Sequence, residues 1–309
     1  MSSDARPRAA ATPARVVVDA LPLAVLVLVG LVWWLGGFGS ARSDGPPLEP
    51  LRVDSAAELE SVFARYGYEW PPDRVPGLAL QRFPPDLDQV PVEQRKSLFL
   101  RSLLPLVLAE NARIAAERDG LIAARDGELD DEDARRLVAR LAGRYGVDGA
   151  PDDPATLEAL LRRVDVVPPA LALAQAANES GWGTSRFALE GNNLFGEWTW
   201  SEALGLEPEN REEDAGHYVR RFPNLRASVA SYLNNLNSHE AYADFRAQRA
   251  AMRAAGRPRR ATALAEGLAA YSERGEEYIA ELRTMLRQNG LADAITGVEI
   301  LTTEQLAQR

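Results

Sequence analysis

From Pro168 to Glu179 the chain reads Pro-Pro-Ala-Leu-Ala-Leu-Ala-Gln-Ala-Ala-Asn-Glu, with no polar side chain before Gln175. A helix that is apolar on every side cannot lie on a surface and has to be enclosed by other elements. The paired prolines suit its first turn, where a missing N–H costs nothing.

The enclosing elements also read as helices. From Val92, residues Leu98, Phe99, Leu103, Leu106, Val107 and Ile114 recur at three- and four-residue steps, and Pro105 is expected to kink this helix. A second helix is predicted over Asp131–Tyr145 and stops at Gly146. A third starts at Pro154 behind Asp153 as its N-cap. Helices resume at Ser228–Leu236 and continue to Asn289, with a stop at Gly290. Between residues 191 and 222 the pattern changes. Asn192, Asn193, Gly196, Gly205, Pro208 and Gly216 break helices, and His217–Phe222 alternates as a strand would. The expectation is a mainly α domain of α+β type, with one small β-hairpin lobe beside a central helix.

The N-terminus has its own logic. Arg6, Arg8 and Arg15 precede an uncharged run from Ala20 to Ala41 with Trp33 and Trp34 near its far end. As a helix that run would be roughly 33 Å long, about the thickness of a bilayer core. A single-pass anchor over 16–38 is predicted, with 1–15 cytoplasmic and the rest exported, since positive residues stay inside. The alternative is a signal peptide cleaved near Gly39-Ser40-Ala41. Residues 39–89, rich in proline, read as a tether and entry segment whose aromatic second half lies on a domain.

Composition excludes several chemistries. The net charge is −10, which argues against a nucleic-acid partner, because duplex binding needs a basic face. There is no cysteine, so disulfides and thiolate chemistry are out. His217 and His239 stand outside any His-Glu-x-x-His pattern, and no residue pattern calls for a metal or another cofactor.

Glu179 is the residue with the clearest chemical possibility. It closes an apolar helix, Trp182 follows within one turn, and Gln175 lies four residues before it on the same face. An apolar wall raises a carboxyl pKa, and a carboxylic acid kept neutral can protonate a glycosidic oxygen. An ordinary helix terminus remains the plain alternative. A serine nucleophile at Ser180 fails, because Asn178 stands where the nucleophile elbow needs glycine.

The segment Gln175-x-x-x-Glu179-Ser180-Gly181-Trp182-Gly183-x-Ser185, followed by Gly191-Asn192-Asn193-Leu194-Phe195-Gly196, resembles the signature of glycoside hydrolase family 73. Ser231-Tyr232-x-x-Asn235-Leu236-Asn237-x-His239-x-Ala241-Tyr242 and Tyr271-Ser272-x-Arg274-Gly275-x-x-Tyr278 resemble its Bax-type bacterial glucosaminidase branch. The resemblance covers roughly residues 90 to 290. It implies a lysozyme-like catalytic domain over 90–295, followed by a tail over 296–309. It implies an endo-β-N-acetylglucosaminidase acting on peptidoglycan glycan strands; the N-terminal anchor read above would hold it at the bacterial inner membrane with its catalytic domain in the periplasm.

Carried over residue by residue, the resemblance makes Glu179 the general acid and Tyr271 an active-site tyrosine. Gln175, Trp182, Asn193, Phe195 and Tyr242 become substrate-binding or cleft-shaping residues. It places a second carboxylate on the β lobe, where Glu207, Glu209, Glu212, Glu213 and Asp214 stand. Glu213 is the first choice as general base, with Glu209 and Glu212 next; assistance by the substrate's acetamido group is the alternative. Two rival readings are a lytic transglycosylase or muramidase of the same fold and a wall-binding protein without activity. The former usually continues into Gly-Leu-Met-Gln, where this chain has Asn193-Leu194-Phe195-Gly196.

Overall fold

The computed structural model describes residues 45–207 and 218–295 and, beyond them, 298, 300, 301 and 305. Among the described residues no helix is long and apolar enough to cross a membrane; the predicted anchor at 16–38 lies outside them.

The segment expected to be a tether and entry is, from residue 45 on, an integral part of the domain. Strand β1 (Glu49–Leu51) pairs in parallel with β3 (Leu78–Leu80), and β2 (Val75–Pro76) lies just before β3. Between them sits α1 (Ala56–Arg65), started by Ser55, whose hydroxyl accepts from Glu58 N at 3.2 Å. Phe63, Tyr68 and Phe83 are buried in the common core. Of the prolines that suggested a tether, Pro50 lies inside β1 and Pro76 inside β2.

Helix α2 (Val92–Arg125) runs past Pro105 without interruption, and every residue from Leu98 to Val107 is buried. It is therefore a second enclosed helix. Arg101 and Ser102 in this stretch find partners in place: Arg101 donates to Tyr68 O at 2.8 Å and to Glu60 Oε2 at 2.7 Å, and Ser102 to Leu98 O at 2.7 Å. Helix α3 (Asp131–Tyr145) begins at Asp130, whose carboxylate accepts from Glu132 N and Asp133 N, and ends at Gly146 in the left-handed region. It docks on α2 through Tyr145, whose hydroxyl donates to Glu117 at 2.6 Å. Helix α4 (Pro154–Arg163) starts at Asp153, which accepts from Ala155 N at 2.9 Å.

Helix α5 (Pro169–Ser180) is the apolar helix, buried from Ala170 to Ala177 against α2 on one side. Short α6 (Arg186–Gly191) leads into the lobe. There β4 (Trp198–Thr199), β5 (Gly205–Leu206) and β6 (Tyr218–Arg220) form an antiparallel sheet in the order β4-β6-β5, so among the described residues the lobe has three strands, one more than a hairpin. Helices α7 (Leu225–Ser238), α8 (Ala243–Ala254), α9 (Ala261–Leu264), α10 (Glu276–Gln288) and α11 (Leu291–Ala294) close the body. Gly290 ends α10 as expected, and α11 follows it at once. Residues 296–309 were expected to be a tail, but β7 (Ile300–Leu301) returns to pair in parallel with β2.

Candidate active site

The site is built on the C-terminal turn of α5. Gly181, Trp182 and Gly183 have φ of 58°, 60° and 80°, so three successive residues take the left-handed conformation. A side chain at Gly183 would come within 2.8 Å of the Phe83 ring and 3.1 Å of Phe99, whose rings are stacked. Only glycine fits there. The Ser180 hydroxyl, fully buried, donates to Ala176 O at 2.6 Å and accepts from Gly183 N at 2.9 Å, which makes it part of this turn. Trp182 is a bulky residue in a strained conformation, a cost usually tolerated where function needs it. Its ring meets Phe99 edge-on at 5.6 Å and carries the Lys96 ammonium at 5.5 Å. Trp182 lines an open groove of about 470 Å³ together with Lys96, Asn178, Glu281, Thr284 and Gln288.

Glu179 is half-buried next to this groove. Burial pushes its carboxyl pKa up, and Glu281 adds to this. Hydrogen bonding from Tyr278 and Asn178 and the charge of Arg274 oppose the rise without cancelling it. The Asn178 amide donates to Glu179 Oε1 at 3.3 Å.

Beneath Glu179 lies a cluster of aromatic rings. Gln175 is 0% exposed. It accepts from the Tyr232 hydroxyl of α7 at 2.5 Å and donates to the Tyr278 hydroxyl of α10 at 2.8 Å. Gln175, expected to bind substrate or shape the cleft, uses both ends of its amide inside the core. Tyr271 stacks on Tyr278 at 5.5 Å and donates to Phe195 O at 3.1 Å. Phe195 stacks on Tyr232 at 3.9 Å, and Tyr242 sits 6.0 Å from Tyr271.

Asn193 is also internal. It donates to Glu197 O at 2.8 Å and to Arg220 O at 2.9 Å, and accepts from Glu197 N at 3.1 Å. Asn193, Phe195 and Tyr242, expected to bind substrate or shape the cleft, are all buried. They form the floor on which the lobe stands. Trp182 and Tyr271 are the predicted residues, besides Glu179, that remain partly accessible. Glu213, Glu209 and Glu212 lie outside the described residues.

Sequence reasoning missed the roles of Tyr232 and Tyr278 as the partners of Gln175, and it missed Glu197. This glutamate follows the Asn193–Gly196 motif directly. Its Oε2 accepts from Ser231 Oγ at 2.7 Å and faces Arg220 Nη1 at 3.5 Å. The usable signal was position: an acid set between Gly196 and the Trp198-Thr199-Trp200 run has few polar neighbours in sequence. Among the described residues no group of three or more His, Asp or Glu side chains is placed to hold a metal ion.

The site thus joins an enclosed helix that ends in Glu179, a row of tyrosines and a small β lobe. The family model described as mannosyl-glycoprotein endo-beta-N-acetylglucosaminidase matches residues 155–291. The chain belongs to this glucosaminidase family, in its Bax-type branch. Protein bax of Escherichia coli (strain K12) is 36% identical over 208 residues, which cover 66% of this chain and 74% of that protein. No solved structure matches the chain.

Proposed function

We propose that the chain is a peptidoglycan hydrolase that cleaves the β-1,4 bond after N-acetylglucosamine, with Glu179 as general acid. The observation that carries this reading is the half-buried position of Glu179 at the end of an apolar helix, where burial raises its carboxyl pKa. Such a carboxyl keeps its proton into the pH range where an ordinary glutamate has lost it. It delivers that proton to the departing glycosidic oxygen as the sugar ring takes on oxocarbenium character. Asn178 and Tyr278 orient the carboxyl. The Trp182 ring, at the groove beside it, offers a flat apolar face of the kind a pyranose stacks on. The helical body and β lobe are consistent with a lysozyme-like arrangement, with the glycan strand lying across α5.

The family membership and the likeness to Protein bax support a glycosidase of the cell wall. We further propose that residues 16–38 anchor the chain in the bacterial inner membrane and hold the domain in the periplasm. Protease access from the periplasmic side would test this, and a freely soluble mature protein starting near residue 42 would contradict it.

The reaction is tested by digesting purified peptidoglycan and weighing the products. Reducing-end N-acetylglucosamine supports the reading, and Glu179→Gln should abolish its release. Anhydro-muramic ends would assign a lytic transglycosylase instead, and reducing-end muramic acid a muramidase.

A further inference from the structure

The glutamates of the β lobe that are described are Glu197, Glu202 and Glu207. The last two are exposed, whereas the Glu197 side chain is only 16% exposed. It leaves the root of the lobe and points at the helical body. Ser231 on α7 donates to its Oε2 at 2.7 Å, and Arg220 on β6 donates to the Ser231 oxygen at 3.2 Å. These contacts fix the carboxylate in one orientation. They leave Oε1 buried, with no donor from the protein. An orphaned carboxylate oxygen is costly to keep and reads as an acceptor held for an incoming donor. Its surroundings belong to the site already described. Tyr242 lies within electrostatic reach of both Glu197 and Glu179 and packs beside Tyr271. The two carboxyls thus stand at opposite ends of one row of tyrosines, Tyr278, Tyr271 and Tyr242.

We propose that Glu197 is the second carboxylate of the site and takes the proton of the attacking water through its unpartnered oxygen. This rests on the hydrolase reading above. In the step, the water oxygen bonds to the anomeric carbon as the bond from that carbon to the leaving oxygen breaks. One water proton passes to Glu197, and the proton of Glu179 goes to the leaving oxygen. Each carboxyl then exchanges one proton with solvent, so the net change is addition of water. Burial raises the Glu197 pKa, which makes it a better base than an exposed glutamate, while Ser231 and Arg220 oppose the rise.

The test uses the full chain and its Glu197→Gln, Glu197→Ala and Glu213→Ala variants on purified peptidoglycan, across a range of pH and with or without sodium azide. Release of reducing-end N-acetylglucosamine by the unmodified protein is read first; its absence removes the hydrolase reading itself. Given release, both Glu197 variants should lose about 100-fold or more of kcat with little change in KM. The acid limb of the pH profile should vanish in Glu197→Gln. Azide, an anionic nucleophile that needs no base, should restore turnover to Glu197→Ala and yield a glycosyl azide. If alanine unfolds the lobe, Glu197→Gln decides through its pH limb. A glutamine variant that keeps more than about one-tenth of kcat, or retains the acid limb, overturns the proposal. So does azide rescue confined to Glu213→Ala.

Discussion

The Tyr232 hydroxyl donates to Gln175 Oε1 at 2.5 Å, a bond that ties α7 to the helix carrying Glu179. The amide's other end donates to Tyr278, so one buried side chain sets the spacing of three helices. Gln175→Leu keeps most of the volume and removes both partners. The buried Tyr232 hydroxyl loses its acceptor, at a cost of about 1–3 kcal/mol, while Tyr278 keeps its bond to Glu179. Urea unfolding would show that loss. kcat should fall with it, because Tyr278 also orients Glu179.

Glu179→Gln should separate activity from stability. Loss of a general acid removes about 100-fold or more of kcat. The folded-state pKa of Glu179 is raised, so ionising it inside the fold costs free energy. Its contribution is fully present below the unfolded value and is lost as pH rises through the folded one. The variant should therefore melt no lower than the unmodified protein at neutral pH, with the difference closing in acid. The alkaline limb of the kcat profile should lie above the ordinary glutamate value of 4.5.

Asp165 behaves in the opposite way. Burial alone would raise its pKa, but hydrogen bonds from Arg253 and the charge of Arg249 hold it below the usual carboxylate range. Arg249 is fully buried; burial and neighbouring arginines bring its pKa down to about 9 against the pull of Asp165. Asp165→Asn removes the countercharge and should cost about 3–5 kcal/mol at neutral pH. A depressed carboxylate loses its contribution as pH falls through its folded pKa. The penalty should accordingly shrink in acid, as denaturation at the two pH values would reveal.

At Trp182 the ring and the backbone can be told apart. Alanine and glycine both remove the ring and should raise KM by a similar factor. With φ at 60°, glycine relaxes the turn and alanine does not. Trp182→Gly should be more stable than Trp182→Ala by about 1 kcal/mol.

Gly267 lies in the 3₁₀ segment that ends at Tyr271. A methyl group there would stand 2.4 Å from Phe245 Cα and 2.7 Å from Phe245 N, on backbone that cannot swing aside. Gly267→Ala should cost about 2 kcal/mol or more in thermal unfolding and lower kcat by shifting Tyr271.

Helix α3 was legible because its ends carry their own signals, Asp130 at one and Gly146 at the other. Helices α4 and α5 were legible for the same reason, through Asp153 and the Pro168-Pro169 pair. Helix α1 was not, since nearby prolines on both sides masked a ten-residue helix. The enclosure of α2 was hidden by Arg101 and Ser102, which look like an outward face until their internal partners are seen. In the site, the apolar run and the motifs around it pointed to Glu179. They could not show that Gln175 is consumed by two tyrosines, because those come from α7 and α10. Glu197 looked like any loop glutamate, for nothing in linear order brings Ser231 and Arg220 to it.

The pairing of β2 with β7 carries a consequence for how the protein is made. Strand β2 emerges from the ribosome early, and its partner residues Ile300 and Leu301 come only after Glu281, Thr284 and Gln288, the last named residues of the site. Until then one edge stays open to pairing with the wrong strand, the usual route to misassembly in chains with distant contacts. A nonsense mutation between Asn289 and Ile300 would leave that edge open for good. Its product should be degraded in the cell although every catalytic group described above had already been synthesised.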